Sequence, residues 1–176
     1  MRGGGLQINL GQRLVTAENA AHMMDDDARR AAGEKIVAEL VSRGSDRLEL
    51  YKRMNGAIGG VDIAVKALEE IQVRFLLAAA AAGVVDLKVD ADELRATIRA
   101  NEGSLMRSIQ QASLAGAAYT YRDFPDADLV AYCEALEKPA MQKVYELLNA
   151  VQYEITANRF EVLAQKMAGL QPQQDL

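Results

Sequence analysis

The scarcity of proline constrains this fold more than any other feature of the sequence. Proline occurs at three of the 176 positions, Pro125, Pro139 and Pro172, whereas half of the chain is hydrophobic and much of that half is alanine. Proline is the least favourable residue inside an α-helix and alanine the most favourable. Runs of β-branched and aromatic residues between turn residues, which are typical of strands, are nearly missing. The sequence therefore predicts an all-α fold built from long helices.

The length of the chain predicts one compact domain. A chain of 176 residues is near the size of an ordinary domain and buries about two-thirds of its unfolded surface. We expect a single-domain helical bundle of about six helices over residues 13–168. The glycine-rich residues 1–12 show little apolar periodicity and are expected to be flexible. The polar residues 169–176 are expected to form a frayed tail.

The apolar pattern predicts a central helix and a C-terminal helical hairpin. Residues 61–82 are apolar on nearly all sides of a helix, which is typical of a central helix covered by its neighbours. Pro125 and Pro139 are expected to mark the starts of the last two helices, because proline is tolerated in a first helical turn. These two helices are therefore predicted to form a hairpin.

Apolar residues at helical spacing predict the core. In the last helix they recur three and four residues apart, which predicts a face that packs inward: Val144, Leu148, Val151, Ile155 and Val162. Over the whole chain, the residues that we expect in the core are Leu68, Ile71, Phe75, Leu94, Ile98, Ile109, Leu129, Leu148 and Ile155.

Three acidic clusters suggest either metal binding or helix capping. They lie at Asp25–Asp27, Asp90–Glu93 and Asp123–Asp128. None has the spacing, the central glycine and the terminal glutamate of a calcium-binding loop. Each stands where a helix is predicted to begin, and acidic side chains accept hydrogen bonds from the free N–H groups there. We expect all three clusters to be helix caps.

Residues suited to catalysis or metal binding are scarce. His22 is the only histidine and Cys133 the only cysteine, and these two cannot build a transition-metal site unaided. The sequence has no phosphate-binding loop, nucleophile elbow or zinc-protease motif. Cys133 falls on the apolar face of its helix and is expected to be a small buried hydrophobe, with a Cys–His pair as the alternative. We predict no catalytic residues, no metal and no cofactor.

Charge and hydropathy weigh against two classes of partner. The formal net charge is −5 without a run of Lys and Arg, which disfavours nucleic acids and anionic membrane surfaces. The longest uncharged apolar run, residues 75–85, is much shorter than the roughly 18–20 residues of a membrane span. We therefore expect a soluble protein with no transmembrane segment. The first residues contain no secretory signal, which fits a cytosolic protein or an exported domain without its signal.

Tyrosines near the C-terminus form the candidate binding site. Seven of the nine aromatic residues follow residue 118, and tyrosine is favoured on half-wet surfaces because it joins an apolar ring to a polar tip. We predict a groove between the last two helices, around Pro139, that contacts a partner or a ligand. The alternative is ordinary packing of these rings. The residues of the predicted groove are Tyr119, Tyr121, Tyr132 and Tyr145.

Three motifs follow one another in the same region: Tyr119-x-Tyr121, Asp126-Ala-Asp-Leu129-x-x-Tyr132, and Lys138-Pro139-Ala140 followed by Tyr145. Together they resemble a bacterial family of exported helical proteins with a domain of unknown function. The similarity covers roughly residues 119–167, and more loosely residues 48–62. Lys138 and Met141 stand where that family usually has serine and glycine. The resemblance implies export to the periplasm, an all-helical fold and no established activity.

These features leave three hypotheses for the function. The first is a non-catalytic protein of the bacterial cell envelope that binds another protein, or itself as a homodimer, through a helical face. The second is a carrier or sensor of a small apolar ligand held between helices, where bundle sites are usually built. The third is a hydrolase or transferase that uses acids and tyrosines. We favour the first hypothesis, in the periplasm, with the cytoplasm as the alternative compartment.

Overall fold

Helices are the only regular secondary structure of the described residues. The structure, a computed structural model, describes residues 4–169, and of residues 4–8 only the backbone. No strand occurs in that range, which confirms the all-α prediction. The eight helices of the described residues are α1 (Gly4–His22), α2 (Asp26–Ser42), α3 (Arg47–Ala57), α4 (Gly60–Ala81), α5 (Ala91–Arg99), α6 (Glu102–Thr120), α7 (Asp126–Leu136) and α8 (Pro139–Ala168).

Two features of the helices differ from the prediction, and the second of them adds a helix. Helix α1 begins at Gly4, inside the segment expected to be flexible. The apolar stripe that follows Asp90 is split between α5 and α6, because the chain turns at Asn101. The Asn101 carbonyl there accepts the N–H groups of Ser104 and Leu105 and so starts α6. Residues 1–3 and 170–176, which include most of the predicted frayed tail, lie outside the described residues.

Two of the three predicted acidic helix caps are confirmed, and two glycines mark further helix ends. The Asp25 carboxylate accepts the N–H of Ala28 at the start of α2, and Asp90 accepts two N–H groups at the start of α5. Gly44 follows α2 with φ +60° and Gly83 follows α4 with φ +72°, a left-handed conformation that glycine adopts without steric cost. Capping acids and terminal glycines therefore locate these helix boundaries in the sequence.

The helices group into two compact units. The first unit contains the residues up to Gly60 together with residues 108–142, and the second contains residues 61–107 and those from Lys143 on. Gly59, the last residue before α4, and Gly60, the first residue of α4, both have positive φ. Helix α7 belongs to the first unit and most of α8 to the second, and the C-terminal hairpin stays a prediction.

In the first unit, α3 packs on α7. Tyr51 and Met54 of α3, and Leu129, Cys133 and Leu136 of α7, are all nearly inaccessible to solvent. The Cys133 thiol donates a hydrogen bond to a backbone carbonyl of α3 at 3.5 Å, and burial raises the pKa of this thiol. Cys133 is therefore the small buried hydrophobe that the sequence predicts.

Helices α2 and α6 of the first unit approach backbone to backbone. Gly33 of α2 is buried, and a Cβ atom built on it would lie 2.0 Å from the carbonyl oxygen of Ala115. No side chain fits in that space, so this contact requires glycine. Gly33 is not among the residues that the sequence predicts to pack in the core.

In the second unit, α4 contributes most of the core. Its buried residues are Val65, Ile71, Val73 and Ala79. Ala157 and Ala164 of α8 are buried too, and Phe75 meets Phe160 edge to face with the ring centres 5.8 Å apart. Phe75 is half-buried and not fully enclosed. No helix within residues 4–169 combines the length and the apolar character needed to cross a membrane.

Candidate functional site

Two of the four predicted tyrosines share one carboxylate. The hydroxyl groups of Tyr121 and Tyr132 both donate to Oε1 of Glu18 on α1, at 2.7 Å and 2.9 Å. The two rings meet edge to face at 5.8 Å, and Tyr121 meets Phe124 in the same way at 6.1 Å. Glu18 thus joins α1 to the end of α6 and to α7. Both hydroxyl groups serve the packing of the first unit.

The other two tyrosines lie elsewhere. Helix α6 continues to Thr120, so Tyr119 is helical, whereas Tyr121 lies in the turn that follows. The Arg122 guanidinium lies over the ring of Tyr119, 4.2 Å from its centre, which is a favourable cation–π geometry. Tyr145 lies on α8 in the second unit. Within the first unit, the structure brings Tyr121 and Tyr132 together, and the binding role of all four stays a prediction.

Arg47 organises the turn that carries Tyr121. It lies at the start of α3, and its Nε donates to the hydroxyl of Tyr51 at 2.7 Å. Its Nη2 donates to three backbone carbonyls of the turn between α6 and α7: Tyr121 at 2.7 Å, Arg122 at 3.3 Å and Phe124 at 2.6 Å. The arginine therefore supplies donors to carbonyl groups that no helix satisfies. No sequence pattern predicts this role of Arg47, because its partners are backbone atoms far away in the chain.

The third acidic cluster forms ion pairs and not the side-chain caps that the sequence predicts. The N-cap of α7 is Pro125, and it makes no side-chain cap hydrogen bond. Asp126 instead pairs with Arg47, and Asp128 pairs with Arg13 of α1 at 2.9 Å. Both acids also lie in the first turn of α7, where negative charge complements the helix dipole. The cluster therefore ties α1 and α3 to the start of α7.

A cavity of about 500 Å³ opens in the first unit between α1 and the end of α6. Its walls include the small side chains of Ala17, Ala20 and Ala21 and the ring of Phe124. Its polar lining residues are Asn9, Gln12, Arg13, Thr16, Tyr119, Thr120, Arg122 and Asp123. The volume falls in the range of small-ligand sites.

Groups with acid–base or metal-binding chemistry are dispersed. His22 is exposed at the end of α1, whereas Cys133 is fully buried. Within the described part of the chain, no three His, Cys, Asp or Glu side chains are placed to hold a metal ion together.

The predicted core face of α8 is exposed to solvent. Leu148 and Ile155, both predicted as core, leave 57% and 46% of their surface accessible. The buried residues Ala157 and Ala164 lie on the opposite side of the helix, because successive residues are rotated by about 100°. We call the exposed side the outward face of α8. Its apolar residues are Val144, Leu147, Leu148, Val151, Ile155 and Val162.

Arg74 of α4 fixes the orientation of α8 within the second unit. Its guanidinium pairs with Glu154 at 2.9 Å and with Glu161, and it donates to the Asn158 side chain at 2.8 Å. The hydrogen bond from Arg74 lowers the pKa of Glu161. The stripe predicted as core therefore points away from the side where α8 packs.

No known protein adds support to the family resemblance. No protein-family model matches the chain, and no curated protein or solved structure matches it. The resemblance of residues 119–167 to exported helical proteins, and the periplasmic location that it implies, therefore stay predictions.

Proposed function

We propose that this chain is a non-catalytic interaction protein that binds an amphipathic helix of its partner along the outward face of α8. The observation that carries the proposal is the exposure of this face. Six large apolar side chains lie on one side of a single helix, and each is at least 45% exposed. Contiguous exposed apolar surface on this scale is typical of a protein–protein interaction site.

The shape of the outward face favours a helical partner. Residues 144–162 span about 27 Å at the α-helical rise of 1.5 Å per residue. The apolar side chains recur at spacings of three and four, so they form a straight ridge and not a concave pocket. A second helix covers such a ridge by inserting its own side chains between those of α8.

The charges beside the ridge define the chemistry of the partner helix. Glu154 and Glu161 flank one edge, and Arg159 and Lys166 flank the other. A helix lying along α8 therefore needs basic side chains on the acidic edge and acidic side chains on the basic edge. A partner helix whose flanking charges are all of one sign complements only one of the two edges.

A designed helical peptide tests this proposal. The peptide has about four heptads, apolar residues at its a and d positions, lysine facing the acidic edge and glutamate facing the basic edge. We expect fluorescence anisotropy to show saturable binding of the labelled peptide to the protein. Val151→Glu, which places a charge in the ridge, should abolish binding.

Ala150→Glu is the matched control, since it adds the same charge to the neighbouring exposed position of α8 outside the ridge. It should leave binding unchanged. Equal binding by wild type and Val151→Glu, or no binding by wild type, contradicts the proposal.

The periplasm is the proposed compartment, and its support is the resemblance of residues 119–167 to exported proteins. Cell fractionation of a strain that expresses the native gene from its own start tests it. Recovery with periplasmic markers supports the proposal, and recovery with cytoplasmic markers contradicts it.

The second candidate function is binding of a small ligand with an apolar body. The observation that favours it is the cavity of about 500 Å³ between α1 and α6. The predicted result is a retained ligand in native mass spectrometry, lost in Ala20→Trp, which fills the cavity. A mass equal to that of the bare chain, for protein purified from its native host, contradicts this candidate.

A further inference from the structure

The outward face of α8 has the repeat of a coiled coil. In a seven-residue repeat labelled a to g, the core positions are a and d. Assigned to α8, the a positions are Leu148, Ile155 and Val162, and the d positions are Val144, Val151 and Asn158. Five of these six side chains are apolar and exposed. The outward face therefore has the apolar seam of a coiled coil, and this seam is exposed to solvent.

The flanking charges of this seam fall on the positions that decide how two such helices pair. Glu154 and Glu161 occupy g positions, and Arg159 and Lys166 occupy e positions. In a parallel pair of helices, each g residue faces the e residue five positions later on the other helix. Glu154 then faces Arg159 of the second copy, and Glu161 faces Lys166. Both contacts are attractive, and two-fold symmetry repeats each of them.

The same charges disfavour the antiparallel arrangement. When two identical helices run in opposite directions, g positions face g positions and e positions face e positions. Glutamates would then approach glutamates, and Arg159 would approach basic side chains, which costs free energy. The charge pattern of α8 is thus complementary to itself in one orientation only.

We infer that the occupant of the outward face is a second copy of this chain, with the two α8 helices parallel and in register. This inference rests on the function proposed above and names the partner. The self-complementary charges are the observation that carries it.

The contacts of Arg74 leave the pairing groups accessible. Arg74 uses Oε2 of Glu154 and Oε1 of Glu161, so each carboxylate keeps a second oxygen. The Glu154 side chain is 61% exposed, whereas the Glu161 side chain is 32% exposed and is the less accessible of the two. Among the described residues, Arg159 and Lys166 form no ion pair. Each base is therefore available to a second molecule.

The area of the seam predicts a concentration-dependent dimer. The six apolar side chains of the outward face expose on the order of 500 Å² per copy, if each retains about half of its area. A standard interface needs about 800 Å² per partner, so the seam and its charged edges together reach the lower end of that class. Asn158, a polar residue at a core position whose side-chain oxygen already accepts a hydrogen bond from Arg74, weakens the pairing further.

Sedimentation velocity of the full chain over a wide range of concentrations tests this inference. We expect a reversible monomer–dimer equilibrium. The double variant Arg159→Glu/Lys166→Glu should weaken the dimer by at least about tenfold, because it sets glutamate against glutamate at every flanking contact. It touches no intramolecular ion pair of the described residues, so its helix content by circular dichroism should match that of wild type.

A complementary variant checks that the charges act between copies. Glu154→Lys/Glu161→Lys alone should also remain monomeric, and mixing it with Arg159→Glu/Lys166→Glu should restore a heterodimer. This second variant removes the partners of Arg74, so its folding is verified by circular dichroism first. If it does not fold, the test rests on Arg159→Glu/Lys166→Glu and on the orientation measurement.

Cysteine cross-linking measures the orientation. In Val144→Cys, two parallel helices place the new thiols side by side, and oxidation should link the copies through residue 144. In an antiparallel pair, residue 144 lies near residue 162, and Val144→Cys should stay uncrosslinked. Cys133 is buried and is replaced by serine as a control.

The outcomes separate this inference from the proposed function. A chain that stays monomeric but binds the designed peptide overturns self-pairing and leaves the proposed function intact. A dimer that is insensitive to the charge variants, or a dimer whose Val144→Cys form stays uncrosslinked on oxidation, also overturns it. A monomer that does not bind the peptide contradicts both.

Discussion

The turn between α6 and α7 and the outward face of α8 differ in whether other helices engage them. In the turn, Phe124 is buried whereas Arg122 and Asp123 are exposed, and Arg47 and Glu18 from two other helices bond its carbonyl and hydroxyl groups. The outward face is rich in valine and leucine, yet each of its six apolar side chains is at least 45% exposed. A polar turn is thus held by distant side chains while an apolar stripe stays open to solvent, and residue type alone reveals neither.

Substitutions of two leucines, one buried and one exposed, test this comparison most directly. Leu129 of α7 is 0% exposed, and both it and Leu148 are predicted as core from their spacing. We expect Leu129→Ala to lower the free energy of unfolding by about 3–4 kcal/mol, because it leaves a cavity in a packed interior. Urea denaturation followed by circular dichroism measures it. A loss below about 1 kcal/mol would mean that α7 does not pack on α3 as described.

Arg47→Met tests whether one side chain holds the turn. The variant keeps the apolar stem and removes all hydrogen bonds to the turn carbonyls, so we expect a loss of about 2–3 kcal/mol in urea denaturation. Arg47→Lys should recover only part of this loss, because an ammonium group cannot reach several acceptors in the planar geometry of a guanidinium. Full recovery by lysine would contradict the role given to the bonding geometry.

Gly33→Ala tests the close approach of α2 and α6. The added methyl group would meet the Ala115 carbonyl at 2.0 Å, and we expect a net loss of about 1–2 kcal/mol as the helices separate. Gly116→Ala is the matched control, since its Cβ has no neighbour within 4 Å. The control should stabilise α6 by about 0.5–1 kcal/mol. Equal effects of the two substitutions in thermal denaturation would contradict the close contact.

Some helix boundaries were predictable from the sequence because their signals are local. Asp25 and Asp90 cap helices through N–H groups two or three residues away, and Gly44 and Gly83 follow helix ends by their own backbone conformation. Each signal and its effect lie within one turn of the same helix. Such features predict where a helix begins or ends without reference to the rest of the chain.

The contacts that position the candidate sites were not accessible, because they join distant residues. Arg47 bonds a carbonyl 74 residues away, and no pattern in the sequence distinguishes it from a surface arginine. Gly33 does leave a signal, since glycine inside a helix usually has a packing reason. The tyrosines were identified as a group from the sequence, but only their hydrogen bonds to α1 reveal that Tyr121 and Tyr132 share Glu18.

The periodicity of α8 illustrates a limit of a different kind. Spacings of three and four predict correctly that Leu148, Val151 and Ile155 share one side of a helix. They do not state which element covers that side. The interior of the second unit uses Ala157, Ala164 and the ion pairs of Arg74 on the other side of α8. A buried stripe and an exposed stripe have the same periodicity, so only the structure separates them.

Leu148→Ala is predicted to have the smallest effect and completes the comparison with Leu129. At low protein concentration the change in unfolding free energy should stay within about 0.5 kcal/mol, because the side chain is largely in water and alanine is a good helix former. At high concentration the variant should be less stable than wild type, since wild type gains stability from self-association by mass action. Thermal melts over a hundredfold range of concentration measure both regimes. A large loss at every concentration would place Leu148 in the core after all. A negligible loss at every concentration would indicate that α8 is exposed without being a seam.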